Sequence, residues 1–220
     1  MVNDTAHRTV PRAGRGAGTR EAIMAAAERL YAEHGLSGVS NRQIGEAAGQ
    51  SNTTVVSYHF GSKTALVRAI MTKHGTLVDS IRRRHVADVG ESDDIRDWAR
   101  CLVHPVTEHL DTLGVPSWQA RFAVQVLTDP LMRALVTDES LTRDSLRQTL
   151  RGLGRCLELL VTAEVRRERA DMARHLITHT CAERERALAE GTAEPGGSWQ
   201  RTCGGAGGRA GGTAHRTIHP

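Results

Sequence analysis

The chain has no run approaching the roughly 18 to 20 consecutive apolar residues of a membrane span. Residues 1–20, MVNDTAHRTVPRAGRGAGTR, contain no apolar stretch of the kind that forms a secretory signal. Together these absences exclude a helical membrane protein and lead us to expect a cytoplasmic one. The four cysteines, Cys101, Cys156, Cys181 and Cys203, form no CxxC pair and no zinc-finger spacing, so neither a disulfide framework nor a structural zinc site is expected. No GxSxG, P-loop or dinucleotide fingerprint occurs. His175 and His179 lie four apart near Cys181 but lack the acid of HExxH. The expectation is a protein that is not an enzyme and holds no metal or cofactor. Aromatic residues make up 3% of the chain, and lysine occurs only at Lys63 and Lys73, so each is conspicuous where it appears.

What is present is helical. The hydrophobic content of 39% in 220 residues can fill one or two modest cores. The net charge of +4 is a mild excess that suits a nucleic-acid partner without requiring one. In the first 20 residues Arg8, Arg12, Arg15 and Arg20 face a single acid, Asp4, amid Gly and Pro. Residues 1–18 are therefore expected to be a flexible basic arm. It can reach a minor groove or simply add nonspecific attraction, the second being the commoner role of such tails.

From Thr19, Ile23, Ala26, Ala27, Leu30 and Tyr31 fall on one helical face, with Gly35 as the stop and Leu36 placed to pack back. Ser40 with Gln43 reads as a capping box that starts a short second helix ending at Gly49. Ser51 or Asn52 then caps a third short helix running to about Tyr58, so the spacing is helix, Gly turn, helix. Ser62 caps a longer helix from Lys63 to about Val86. Further helices are expected at about 94–112, 116–128, 130–136, 139–160 and 162–190, punctuated by Gly114, Pro116, Asp129 and Pro130. No period-two alternation is found, and the fold class is all-α. After Glu190, GTAEPGGSWQRTCGGAGGRAGGTAHRTIHP holds nine glycines and no apolar periodicity. Residues 191–220 are expected to remain disordered.

The stretch TREAIMAAAERLYAEHGLSGVSNRQIGEAAGQSNTTVVSYHFGSKTALVRAIM resembles the DNA-binding region of the TetR family of bacterial transcriptional regulators. The resemblance lies in its first helix, in QIGEAAG, in YHFGSK and in the apolar helix that follows. It covers roughly residues 19–70. It implies a three-helix helix-turn-helix head at 19–65 and a helical effector-binding and dimerisation body at 66–190. The molecule it implies is a homodimer that binds an inverted-repeat operator in double-stranded DNA and is released by a small-molecule effector. The segment from Gly49 to Phe60 is one residue longer than the commonest family version, and Ser57 stands where a tyrosine is frequent.

A helix this short needs apolar anchors, and Val56 and Phe60 are expected to supply them. Ser51, Asn52, Thr53, Thr54 and Ser57 are left to face the groove, where Asn pairs bidentately with adenine and Thr methyls meet thymine methyls. Which of Thr53, Thr54 and Val55 touches a base stays open. Tyr58 and His59 are candidate phosphate or sugar contacts. So are Lys63, at the start of the fourth helix, and Ser40 and Arg42, in the first turn of the second. The charge runs IRRRH (81–85) and VRRERADMAR (165–174) read as solvated helix faces. In the body, Trp98, Trp118, Arg121, Phe122 and Gln125 are candidate effector-pocket residues, because such pockets are apolar with a few polar groups. The alternative to a regulator is a helical small-molecule-binding or protein-interaction protein without specific DNA binding.

Overall fold

A computed structural model describes residues 12–52, 54–158, 161–193 and 199. The described residues form helices and no strand. In chain order these are α1 (Arg12–His34), α2 (Asn41–Ala47), α3 (Val55–Phe60), α4 (Lys63–Val89), α5 (Ile95–Thr112), α6 (Gln119–Thr128), α7 (Pro130–Leu141), α8 (Asp144–Leu157) and α9 (Ala163–Ala189). None is long and apolar enough to cross a membrane.

Most boundaries follow from the residues identified above. Gly35 and Gly49 take φ of 78° and 69°, a left-handed conformation that stops α1 and turns the chain out of α2. Ser40 Oγ accepts from Gln43 N–H at 3.3 Å while Gln43 Oε1 accepts from Ser40 N–H at 2.9 Å, completing the capping box. Asp129 accepts from the N–H groups of Leu131 and Met132, and Pro130 opens α7.

Several boundaries differ: α7 runs on to Leu141 where a stop at 136 was expected, and α8 starts at Asp144, not at 139. The first helix reaches back to Arg12, so the arm expected to be flexible through residue 18 is helical from there, and the rest of it lies outside the described residues. The glycines at 14, 16 and 18 hid this extension, since each weakens a helix on its own. The third helix starts at Val55, because Asn52 Oδ1 is taken by an Asx turn, accepting from Thr54 N–H at 2.9 Å and Thr54 Oγ1 at 2.8 Å. The N-cap is Thr54, without a side-chain bond. In the tail expected to be disordered, Trp199 is only 6% exposed and packs with Leu110, Ala120, Cys181 and Ala182. A single indole carries enough apolar area to anchor itself, which average composition conceals. The remainder of 194–220 lies outside the described residues.

The principal core belongs to head and body alike. Ile23, Ala27 and Tyr31 of α1 meet Ile44, Val56 and Phe60 from α2 and α3, and Leu66, Val67 and Ile70 from α4. Phe122 and Val126 of α6 and Val136 of α7 continue the same cluster. Tyr31 stacks on Phe122 with ring centroids 6.1 Å apart. Behind it, α4 packs on α5 and α8, and α9 on α6.

A buried polar relay also ties α1 to the body. His74 Nε2 lies 3.0 Å from Glu28 Oε2, and His74 Nδ1 lies 2.8 Å from His109 Nε2. All these atoms are satisfied when His74 donates to Glu28 and accepts from His109. Burial, then the neighbouring His74, lowers the His109 pKa from 6.5 to about 4. The unfolded chain therefore takes up a proton near pH 6.5 that the folded chain refuses until about pH 4. Stability attributable to this group is full above pH 6.5 and is lost as pH falls toward 4. We expect the loss between pH 7.5 and pH 5 to be about 1–2 kcal/mol, allowing for partial solvent screening. Urea midpoints at the two pH values in the parent and in His109→Phe check this; the variant should show a smaller difference.

Candidate nucleic-acid interface

A helix of six residues has no stability of its own, so α3 depends on what it buries. Val55, Val56 and Phe60 all face the core, two valines where one was expected. Gly45 of α2 lets Val55 approach, since a Cβ there would lie 3.3 Å from Val55 Cγ1. Arg20 then fixes the far end of the helix. Its guanidinium donates to the His59 carbonyl at 2.8 Å and lies 4.2 Å from the Phe60 ring centroid. Read from sequence only as a charge of the basic arm, Arg20 is a clamp. Though exposed, it lies one turn before the buried Ile23 and Met24, so it stands beside α3 once α1 is packed.

With that side fixed, the opposite side of α3 presents Ser57 and Tyr58 to solvent, Tyr58 being 84% exposed. Its ring meets the half-buried His59 edge-on at 5.1 Å. Thr54, Ser51 and Asn52 are exposed beside them, and Thr53 lies outside the described residues. Ser40, the N-cap of α2, and Arg42, in its first turn, are also exposed. Ser40 is engaged in its capping box, and Arg42 Nε is 2.8 Å from Glu46 Oε1, an exposed pair that water can readily exchange. The Asx turn leaves Asn52 only its amide N–H groups for an outside partner, so bidentate pairing with a base would require the turn to open.

Lys63 departs from its expected place. Its ammonium turns inward to the carbonyls of Leu36 and of Val39, the latter at 3.3 Å, and lies 5.2 Å from the Tyr31 ring centroid. Burial pushes its pKa below the ordinary lysine value. The side chain closes the loop between α1 and α2 onto α4 and does not project toward a phosphate. Loop carbonyls left over by two helix ends need a donor, and a long cation at the start of the next helix is the one within reach.

The residues expected to line an effector pocket do not converge. Trp98 is buried between α5 and α8, donating Nε1–H to the Ser92 carbonyl at 2.8 Å. Phe122 belongs to the core under Tyr31, and Gln125 approaches Gly35. Arg121 faces α9, where it meets Glu185, and Trp118 is the residue before α6. Aromatic scarcity marked these positions, but scarcity cannot separate core from pocket.

The body instead holds a partly open pocket of about 200 Å³ among α4, α5, α7 and α8, bordered by His74, Arg82, Val106, Glu139, Arg143 and Leu146. Arg82 was read as part of a solvated run, yet it is 6% exposed. Three consecutive arginines on a helix point about 100° apart, so on a helix packed by several others one of them has to face inward. His175 and His179 are exposed while Cys181 is buried, and no group of three metal-ligating side chains occurs among the described residues.

Residues 23–70 match the model of the bacterial regulatory proteins of the tetR family. The chain is similar to the HTH-type transcriptional repressor AcnR of Corynebacterium efficiens, 29% identical over 126 residues, and to that of Corynebacterium glutamicum, 30% identical over 126 residues. Both alignments cover 57% of this chain and 60% of the relative, so the likeness spans three fifths of these repressors' length. A crystal structure described as a TetR-family transcriptional regulator from Mesorhizobium loti aligns with a TM-score of 0.45 and 15% identity, covering 86% of this chain and 91% of that one, too distant to carry an argument. The α2–turn–α3 unit lies inside the matched segment, so this part of the chain is what resembles the bacterial regulatory proteins of the tetR family.

Proposed function

We infer that this protein is a DNA-binding transcriptional repressor, non-enzymatic and cytoplasmic, that acts as a homodimer and leaves its operator when a small effector occupies the body. The observation that carries the reading is the outer side of α3. A large amphipathic ring, Tyr58, stands in water beside Ser57 on a helix whose other side is held by three buried anchors and Arg20. A helix presented in this way fits a major groove about 12 Å wide, with α2 crossing the backbone. On this reading Ser57, Thr54, Ser51 and Asn52 approach base edges, while Tyr58, His59, Ser40 and Arg42 hold phosphates. Residues 19–65 serve as the head and 66–190 as the body. Met172 and Leu176, exposed one turn apart on α9, support pairing with a second copy. The cavity beside His74 supports an effector site whose occupancy acts on Glu28, and so on α1, through the relay. Release follows only if the effector prefers the conformer whose heads no longer match the half-sites.

Titration of the full chain against the duplex upstream of its own gene, at several salt concentrations, tests this. Affinity should fall with salt, and Tyr58→Ala should weaken it about tenfold. Binding without a negative salt slope would favour a protein-interaction role instead. Lys63→Met makes a separate point. It should cost about 1–3 kcal/mol of stability, because two carbonyls lose their donor. It should also leave the salt slope at the parent's value, whereas loss of a phosphate contact lowers that slope by about one. Salt-dependent titrations of the two proteins in parallel decide which role Lys63 has.

A further inference from the structure

The pocket is lined by two arginines, Arg82 and Arg143, neither of which forms an ion pair with a carboxylate among the described residues, although Glu139 shares the lining. We propose that it binds a small organic carboxylate, held by Arg82 and Arg143; the identification rests on the reading of this cavity as the effector site. Arg82 is nearly sealed from solvent, yet among the described residues it makes a single hydrogen bond, from Nε to the Cys101 carbonyl at 3.1 Å. Its two terminal nitrogens border the pocket, and among the described residues no carboxylate lies within ion-pair distance. Arg143, at the start of α8, presents its guanidinium to the same space, likewise without an ion pair. Two like charges facing one cavity repel, and burial together with Arg143 lowers the affinity of Arg82 for its proton despite nearby Asp79.

The acids around the cavity are already engaged. Glu139 accepts from Arg68 Nε at 3.0 Å and from the Thr72 hydroxyl. Asp79 accepts from the Ser145 hydroxyl and lies 3.6 Å from Arg83 Nε. Each acid thus has a closer arginine of its own, and Asp79 and Glu139 act on Arg82 and Arg143 only at longer range, without an ion pair among the described residues. A buried cation without a partner is costly, and an anionic ligand is the group that relieves it.

Gly75, in the middle of α4, belongs to the same arrangement. A Cβ there would come within 2.7 Å of Arg143 Nη2 and 2.9 Å of Cζ, so its absence is what lets the guanidinium lie flat against the helix. Val78, Val106, Val136 and Leu146 supply apolar side chains to the same lining. Arginine forks together with aliphatic side chains suit a carboxylate on a short hydrocarbon body. The volume of about 200 Å³ is below that of a drug-sized site.

The test uses the full chain and a panel of straight-chain monocarboxylates from butyrate to octanoate and dicarboxylates from succinate to adipate, each against its primary amide and against inorganic phosphate. At least one carboxylate should raise the melting temperature in a saturable way while its amide does not. Arg82→Met should bind that carboxylate at least about tenfold more weakly and, without ligand, melt no lower than the parent. Should it fail to fold, Arg143→Met carries the same comparison. Gly75→Ala should also weaken binding while keeping the protein folded, since alanine favours the helix and only the tip of Arg143 is displaced. The proposal is overturned if amides bind as well as acids, if phosphate alone binds, if no member of the panel binds, or if these variants bind the carboxylate as the parent does. Carboxylate binding that leaves DNA affinity unchanged would keep the anion site and remove the effector role; release of DNA by an uncharged compound in this cavity would do the reverse.

Discussion

Glu185→Ala is expected to destabilise the protein by about 3–5 kcal/mol, a large part of the total stability of a domain this size. The carboxylate comes from α9, is 1% exposed, and meets the start of α6. It accepts from the N–H groups of Ala120 at 3.1 Å and Arg121 at 3.0 Å, from Ser117 Oγ at 2.9 Å, and from Arg121 Nε at 3.2 Å. No residue of α6 caps its own first turn by a side-chain bond, so Glu185 serves as an N-cap supplied from another helix. Truncation leaves two backbone donors, a hydroxyl and a guanidinium N–H without an acceptor in a place water does not reach. Glu185→Gln keeps the shape and one acceptor oxygen, and should cost less than half as much. Because α6 delivers Phe122 and Val126 to the core beneath the head, DNA affinity should fall together with stability. Urea denaturation of the three proteins gives the comparison, and an alanine variant within 1 kcal/mol of the parent would show that the capping role is misassigned.

Gly152→Ala carries the second large effect, and with the opposite sign to that expected of an exposed helix. There, replacing an interior glycine by alanine gains up to about 1 kcal/mol. Here the added Cβ would fall inside the Trp98 indole, against Cδ2, Cε2 and Cε3. The indole cannot easily move aside, since Nε1 is bonded to the Ser92 carbonyl and Arg155 stacks 5.6 Å from its centroid. Separating α5 from α8 to make room should cost about 2 kcal/mol net. Thermal melting with tryptophan emission as the probe reads both the lost stability and the shifted indole. A variant that melts higher than the parent would show that the two helices yield.

The parts of the fold that were legible in the sequence are those written in local chemistry. Ser40 with Gln43, Gly35, Gly49, Ser62 and Asp129 with Pro130 each fix a helix end through partners a few residues away, and the helices lie between them. What could not be read depends on partners far along the chain. The inward turn of Lys63 is set by carbonyls of Leu36 and Val39. The burial of Arg82 follows from the packing of α5 and α8 against α4. Glu185 looks like any acid of a charged helix until α6 is brought to it. In the candidate interface, the exposed residues of α3 were readable because the alternatives, Val56 and Phe60, are apolar. The role of Asn52 was not, since one side-chain oxygen can serve either a turn or a base and only the backbone geometry decides.

The stacking of Tyr31 on Phe122 bears on how motion can reach the DNA-binding end. A protein whose head and body meet across a solvated seam can swing one against the other and take up slack at the joint. Here the ring of α1 is the floor on which the ring of α6 rests, and the aliphatic side chains around them interlock. The connection is interlocked packing and not a solvated joint. On the proposed reading, a displacement of α6 would be passed to α1 and so toward α3 through packed side chains.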